Sequence, residues 1–318
     1  MNDQRATRAG SKTFDESPFV LEDARVVLDS EMYQGVVGAI TRCANGDLLT
    51  AYMTRTDAII DNAAFLLRST DNGMTWRKQE SFRLDTRRDE GSSHIVQGMT
   101  TLTDGRILMP VADVSSGRVN PEDHPRYMKL RARRWDMQMM ASTDSGRTWS
   151  SPTDIDPQRR FGPIGFLYGR ILVLGDNELL LPFFAPRGPL TAEDFHAYIV
   201  SRGAGKPLHP DEGDDDYSWL PDARLVTRSM VLRSSDGGRT WPRASVVAEH
   251  PWMSIAGASH VQCADGSLVS LMRTTADAGG SAFLWQASSR DGGHTWRDQR
   301  PSGIWAKRLA CIARFSGD

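Results

Sequence analysis

Four charged residues stand at corresponding places in a repeated pattern of this 318-residue chain, and their chemistry is that of acid/base catalysis and anion binding. They are Arg55, Asp113, Arg187 and Arg273, each between seven and ten residues beyond a predicted turn. Any one of them alone is also explained as a solvated charge at a strand end. Their recurrence favours a shared site, because arginines that are brought together require acidic partners or an anionic ligand.

Three further residues extend this set. Asp61 follows Arg55 by six residues, and His94 and His260 are predicted to begin the innermost strands of two repeat units. For both histidines we favour hydrogen bonding at the rim of a site over metal binding, since no third metal ligand is evident. No metal or other cofactor is predicted.

An eight-residue motif that occurs four times supplies the elements that must position these side chains. Its pattern is Ser-x-Asp-x-Gly-x-Thr-Trp, and the copies begin at Ser69, Ser142, Ser234 and Ser289. The Asp can accept hydrogen bonds from the N–H groups of a turn, the Gly can supply a positive φ, and the Trp can anchor the outgoing strand. The motif therefore predicts a β-hairpin corner that recurs through the chain.

A second turn, followed by an apolar run, precedes each copy of the motif. These turns are at Asn45-Gly46, Asp104-Gly105, Asp176-Asn177 and Asp265-Gly266. The repeat unit is thus strand A, turn, strand B, connection, strand C, corner and strand D, which is a four-stranded antiparallel blade. Several such blades form an all-β propeller. Turns and corners then lie on one face, and the charged residues near the end of strand B lie on the opposite, front face.

Composition is consistent with a single folded domain. The net charge of −2 gives no reason to expect nucleic acid or an anionic membrane as a partner. Residues 1–18 are polar and are predicted to be a flexible arm, and residues 19–318 to be the propeller domain. No signal peptide or membrane-spanning segment is recognised, and the three cysteines lack metal or redox spacing. We therefore expect a cytoplasmic location.

The corners, turns and blade layout together resemble the sialidase (neuraminidase) superfamily of Asp-box or BNR-repeat proteins over roughly residues 20–300. The resemblance implies a six-bladed propeller with an active site for carbohydrate on its front face. In bacterial sialidases a pocket Arg is followed six residues later by the acid/base Asp, just ahead of the first box. By resemblance, Asp61 is then the acid/base, Arg55 a pocket residue and Arg273 one of the arginines that bind the sialic acid carboxylate.

The chain departs from the sialidase pattern in three places. Gln34 to Ile40 replaces the expected Arg-Ile-Pro motif, and the stretch from Ser254 to His260 contains no Glu to activate a nucleophile. Only 22 residues follow Trp296, whereas the Tyr nucleophile and the last arginine of the family lie well beyond the fourth box. Four complete blades leave a six-bladed ring open, with unpaired strand edges. We expect the chain to be part of a longer protein or, as the alternative, to complete the ring by oligomerising.

The leading hypothesis is a sialidase-like exo-glycosidase that acts on a terminal sugar. Asp61 is its acid/base, Asp113 the remaining candidate for base or nucleophile, and arginines 55, 187 and 273 with histidines 94 and 260 bind substrate. The alternative is a catalytically degenerate propeller that binds glycans or proteins without hydrolysis. A third hypothesis is a lyase or trans-glycosidase on the same scaffold.

Overall fold

A computed structural model of the chain describes residues 40–53, 63–84, 92–96, 98–115, 134–158, 160–161, 166–167, 169–187, 227–251, 253–275 and 283–305. All regular elements in these ranges are β-strands, which confirms the all-β prediction. Among these residues no helix has the length and apolar character needed to cross a membrane.

The strands form four antiparallel sheets, each built from one continuous part of the chain. The first sheet contains β1 (Thr41–Arg42), β2 (Leu48–Met53), β3 (Ala64–Ser69) and β4 (Arg77–Leu84). The second contains β5 (Ser92–Val96), β6 (Thr100–Thr101), β7 (Ile107–Ser115), β8 (Arg134–Ser142) and β9 (Thr153–Asp154). The third contains β10 (Phe166–Leu167), β11 (Leu172–Val173), β12 (Leu179–Pro186), β13 (Thr227–Ser234) and β14 (Arg243–Ala248). The fourth contains β15 (Ser254–Gln262), β16 (Leu268–Thr275), β17 (Phe283–Ser289) and β18 (Arg297–Trp305).

The first strands of the last three sheets lie side by side. In the second and third sheets this strand is divided into two short pieces, β5 with β6 and β10 with β11, that pair with one neighbour. Gly98 and Gly169 lie in the gaps. A Cβ on Gly98 would lie 2.6 Å from the carbonyl oxygen of Gly169, and a Cβ on Gly169 would lie 2.9 Å from that of Ala258. The backbones therefore approach so closely that only glycine fits at the two gaps.

The four corners share one hydrogen-bond pattern, as the motif predicts. In each, the Ser hydroxyl accepts from the Gly N–H at 2.8 Å and donates to the Asp carboxylate. The same Asp accepts from the N–H and the hydroxyl of the Thr. The corner Gly has φ between 78° and 89°. Three of the four tryptophans donate to the Gly carbonyl, whereas the indole N–H of Trp241 has no hydrogen-bond partner in the described part of the chain.

Three hydrophobic cores separate the successive sheets. Because side chains alternate along a strand, neighbouring residues contribute to different cores. Leu179 packs in the core between the second and third sheets, and Leu180 in the core between the third and fourth. The corners close these cores from one end, since a Cβ on Gly238 would lie 2.5 Å from Leu108 of the preceding sheet. Corner and core together fix each sheet against its neighbour.

Candidate functional site

The turns and corners lie at one end of the sheets, which we call the box end. In the third sheet the corner residue Gly237 donates its N–H to the carbonyl of Asn177 in the first turn, at 3.1 Å. In the first sheet Arg42 donates to the side chain of Asn72 in the corner. Strand B runs away from this end, so the end of β2, β7, β12 and β16 marks the opposite, front end, as predicted.

A row of three ionisable residues crosses the front end of the second sheet. His94 on β5 is paired with Asp113 on β7, and Asp113 is paired with Asp136 on β8. Directly paired side chains share one face of a sheet, with Cβ atoms about 4.5–5.5 Å apart. His94 is 7% exposed, and its Nδ1 is shut off from solvent without a hydrogen-bond partner in the described residues. Asp113 and Asp136 are half-buried.

This row combines groups that acid/base chemistry needs. Two neighbouring carboxylates can divide the roles of acid and of base or nucleophile. The imidazole of His94 can hydrogen-bond to a substrate or hold one carboxylate in place. Asp113 thus lies at the front end, where the repeat pattern predicted it. Asp136 was not predicted from the sequence.

Arg55 and Asp61 lie outside the described residues. They belong to the connection between β2 and β3, whose flanking residues Met53 and Ala64 pack in the same core as Ile95, directly after His94. The connection that carries the predicted acid/base therefore begins and ends at the core to which the strand of His94 contributes. The roles of Arg55 and Asp61 stay predictions.

Arg273, near the front end of the fourth sheet, has a buried donor that no described residue satisfies. It lies on β16 opposite Ala256, where the pairing shifts by one residue around Gly257. Such a bulge changes the direction of nearby side chains. The Nε of Arg273 is shut off from solvent, and among the described residues nothing accepts a hydrogen bond from it. An acceptor on a bound ligand would satisfy this donor.

Arg187 lies one residue beyond β12, at the front end of the third sheet. Its Nε lies 3.7 Å from the Oε2 of Glu249, and its side chain is 38% exposed. Arg228, at the start of β13, lies 3.8 Å from the same oxygen. Arg187 is thus at the predicted end of its strand, beside two charged residues that the sequence analysis did not single out.

The prediction that His260 begins a strand at the front rim is wrong. Strand β15 begins at Ser254, and His260 lies six residues further along, opposite Ser270 and packed against the corner residue Trp296 with 5.4 Å between ring centres. Small and apolar residues such as Ile255 and Ala258 extend the strand to the front. Burial lowers the pKa of His260 to about 3, so its imidazole is neutral at ordinary pH.

Asp136 and Arg228 share a position at the front of strand C that was not predicted from the sequence. Each lies six residues before the Ser of its corner, Ser142 or Ser234, at the front of strand C. Long connections precede both residues, so counting forward from strand B does not align them. Counting back from the corner would have found them. Within the described ranges no group of three or more His, Cys, Asp or Glu residues could hold a metal ion.

A family model described as BNR repeat-like domain matches residues 126–309. A sialidase from Clostridium perfringens is 26% identical over 257 residues, which cover 77% of this chain and 54% of that protein. The chain spans about half the length of the curated relatives that it matches.

Two solved structures have a similar fold. A protein of unknown function from Dyadobacter fermentans gives a TM-score of 0.61 at 18% identity, over 88% of this chain and 72% of that one. The intramolecular trans-sialidase from Ruminococcus gnavus, in complex with oseltamivir carboxylate, gives 0.57 at 12% identity, over 85% and 71% of the two chains. At these identities the likeness shows the fold alone.

Proposed function

We propose that this chain, which belongs to the BNR repeat-like domain family of the sialidase superfamily, is an exo-acting glycoside hydrolase. Its active site lies at the front end of the sheets. The observation that carries the proposal is the cross-strand row of His94, Asp113 and Asp136. The curated relatives named as sialidases support a glycosidase-like activity. The four sheets are then four blades of a propeller of the six-bladed type.

In the proposed reaction the residues at the front end have separate tasks. Asp61 donates a proton to the glycosidic oxygen as the bond to the leaving group breaks. The carboxylate of Asp113 either attacks the anomeric carbon or removes a proton from the water that attacks it. In the first case water then releases the sugar from Asp113. Arg55, Arg187 and Arg273 bind anionic or hydroxyl groups of the substrate, and His94 supports Asp113 by hydrogen bonding.

Turnover of aryl glycosides tests this proposal. We expect Asp61→Asn to lower kcat/KM by at least about a hundredfold, because proton transfer to the leaving group is lost. Asp57→Asn changes a carboxylate of the same connection and serves as the matched control, with turnover unchanged. The panel includes an aryl α-sialoside and neutral aryl glycosides, so that it also identifies the sugar that is cleaved. Unchanged turnover in Asp61→Asn would remove this residue from the mechanism.

A second candidate function is glycan binding without hydrolysis. The stretch where the family's activating Glu is expected forms β15, which contains no carboxylate from Ser254 to Gln262. This observation favours a site that retains its binding residues but has lost catalysis. Binding on a glycan array by the wild-type protein, together with no product by mass spectrometry after prolonged incubation, would support this candidate over the hydrolase.

A further inference from the structure

Two arginines and one glutamate meet where the strands of the third sheet reach the front end. Arg187 follows β12, Arg228 is the second residue of β13, and Glu249 follows β14. The two guanidinium groups lie 3.7 Å and 3.8 Å from the same Oε2 atom of Glu249. We call these three residues the outer arginine cluster.

The outer arginine cluster has more donors than its glutamate can satisfy. Two positive charges face one negative charge, and both N–O separations exceed the roughly 2.7–2.9 Å of a charge-assisted hydrogen bond. The Nε of Arg228 is shut off from solvent, and no described residue accepts a hydrogen bond from it. A buried donor without an acceptor is unfavourable, and an anionic oxygen placed there would satisfy it.

Arginines at the box end provide a contrast within the same fold. Arg68 lies 2.7 Å from the carboxylate of Asp47, and Arg233 lies 2.8 Å from that of Glu178. Each also donates to a backbone carbonyl of the next sheet. Where an arginine joins two sheets, the fold therefore provides it with close acceptors. Among the residues that the structure describes, the outer arginine cluster has no acceptor as close, which indicates a ligand site and not a structural joint.

The outer arginine cluster is connected to the strand opposite Arg273. Thr227, next to Arg228, donates its N–H to the hydroxyl of Ser254 at 3.1 Å and its hydroxyl to the carbonyl of Ile255 at 3.4 Å. These residues begin β15, on which Ala256 is paired with Arg273. Two cationic groups thus follow one another along the front ends of the third and fourth sheets.

We infer that the outer arginine cluster is a second anion-binding site, which takes a carboxylate or sulfate group of an acidic oligosaccharide while Arg273 binds the group nearer the reacting sugar. This inference rests on the proposed function and adds to it the substrate class, an oligosaccharide with negative charge on more than one sugar. Arginine suits this role because its planar fork matches the oxygens of both carboxylate and sulfate.

Calorimetric binding to matched oligosaccharides tests the inference. One pair is an oligogalacturonate tetrasaccharide and its methyl ester, and the other a sulfated galactan tetrasaccharide and its desulfated form. We expect the acidic member of at least one pair to bind more tightly, and the pair that shows the difference distinguishes carboxylate from sulfate. We expect Arg228→Gln to weaken binding of that acidic member about tenfold, the effect of one lost charge-assisted interaction. The neutral member is expected to be unaffected.

Two further variants make the test specific. Glu249→Gln removes the carboxylate that competes with the ligand, so we expect it to tighten acidic binding several-fold, the opposite of a general loss of structure. Arg243→Gln removes an exposed cation of β14 in the same sheet and is expected to change nothing. Equal binding of acidic and neutral members, no binding of either, or weaker acidic binding by Glu249→Gln would overturn the inference. Turnover of an aryl monoglycoside by the wild-type protein tests the hydrolase proposal separately.

Discussion

Asp113 and Asp136 are direct cross-strand partners at the front end of the second sheet, one on β7 and the other on β8. The connection 116–133 separates the two strands in the sequence, so their proximity depends on the register of the sheet. His94 completes the row on the other side of Asp113. This relationship provides a second carboxylate beside the one that the repeat pattern had singled out.

The second carboxylate gives the first prediction. We expect Asp136→Asn to lower kcat/KM on aryl glycosides by at least about tenfold, because the carboxylate beside Asp113 is replaced by an amide that cannot take part in proton transfer. Asp154→Asn changes an exposed carboxylate on the outer strand of the same sheet and should leave turnover unchanged. The midpoint temperature of thermal unfolding should stay within a few degrees of the wild-type value in both variants. Equal turnover in the two variants would show that Asp136 has no part in catalysis.

The neutral imidazole of His260 gives a prediction on acid stability. Its pKa is about 3 in the folded protein because of burial, and close to 6.5 in the unfolded chain. The unfolded chain therefore takes up a proton below pH 6.5 that the folded protein does not, and the free energy of unfolding falls as the pH drops. Between pH 6 and 3, His260 lowers the free energy of unfolding by up to roughly 1.4 kcal/mol for each pH unit.

Chemical unfolding between pH 7 and 4.5 checks this dependence. We expect His260→Phe or His260→Gln to flatten the slope, whichever variant folds. His294→Gln, which changes an exposed histidine of the fourth corner, should keep it. In the folded protein the corner carboxylates titrate at lower pH than this range. In the first corner, for example, hydrogen bonds from Thr75 lower the pKa of Asp71 to about 2. A wild-type slope in both His260 variants would contradict the prediction.

A corner glycine and a glycine of a preceding turn give a prediction on packing. Gly238 has φ +85° and a Cβ there would lie 2.5 Å from Leu108, whereas Gly266 has φ +81° and open space around it. We expect Gly266→Ala to lower the free energy of unfolding by about 1 kcal/mol from backbone strain alone. Gly238→Ala should cost about 1–3 kcal/mol more, because the methyl group overlaps a packed core.

Denaturant titration of both alanine variants measures this difference. The double variant Gly238→Ala with Leu108→Ala is a useful addition, since it removes the atom that the new methyl group would overlap. Its coupling energy should be favourable, so that the two changes together cost less than their sum. Equal stability of the two single variants would mean that the corner does not close the core as described.

Local chemistry explains which parts of the fold could be predicted from the sequence. The corner at Ser69, Asp71 and Gly73 is held by hydrogen bonds within five residues, so its motif alone predicts its structure. Asp113 lies on β7, which begins two residues after the turn glycine Gly105 and is unbroken, so it could be placed by counting. Asp136 follows a long connection, so counting forward from strand B misses it, although counting back from the corner at Ser142 would have placed it.

His260 shows the opposite limit. His260 was predicted to begin a strand, yet β15 begins at Ser254 and continues through it, with Ile255 and Ala258 packed in the core between the third and fourth sheets. Packing against Trp296 keeps the imidazole out of water. Such a residue can only be recognised once the neighbouring sheet and its corner are in place.

Azide rescue of Asp113→Ala tests most directly the claim that the front end of the sheets is a glycosidase site. Wild-type protein and variant are incubated with the aryl glycoside that the wild-type protein cleaves best, with and without sodium azide, and the products are examined by NMR. The proposal predicts that the variant loses turnover, and that azide restores it by replacing the missing carboxylate or the water it activates, with a glycosyl azide as product. Wild-type turnover by Asp113→Ala in the absence of azide would contradict it.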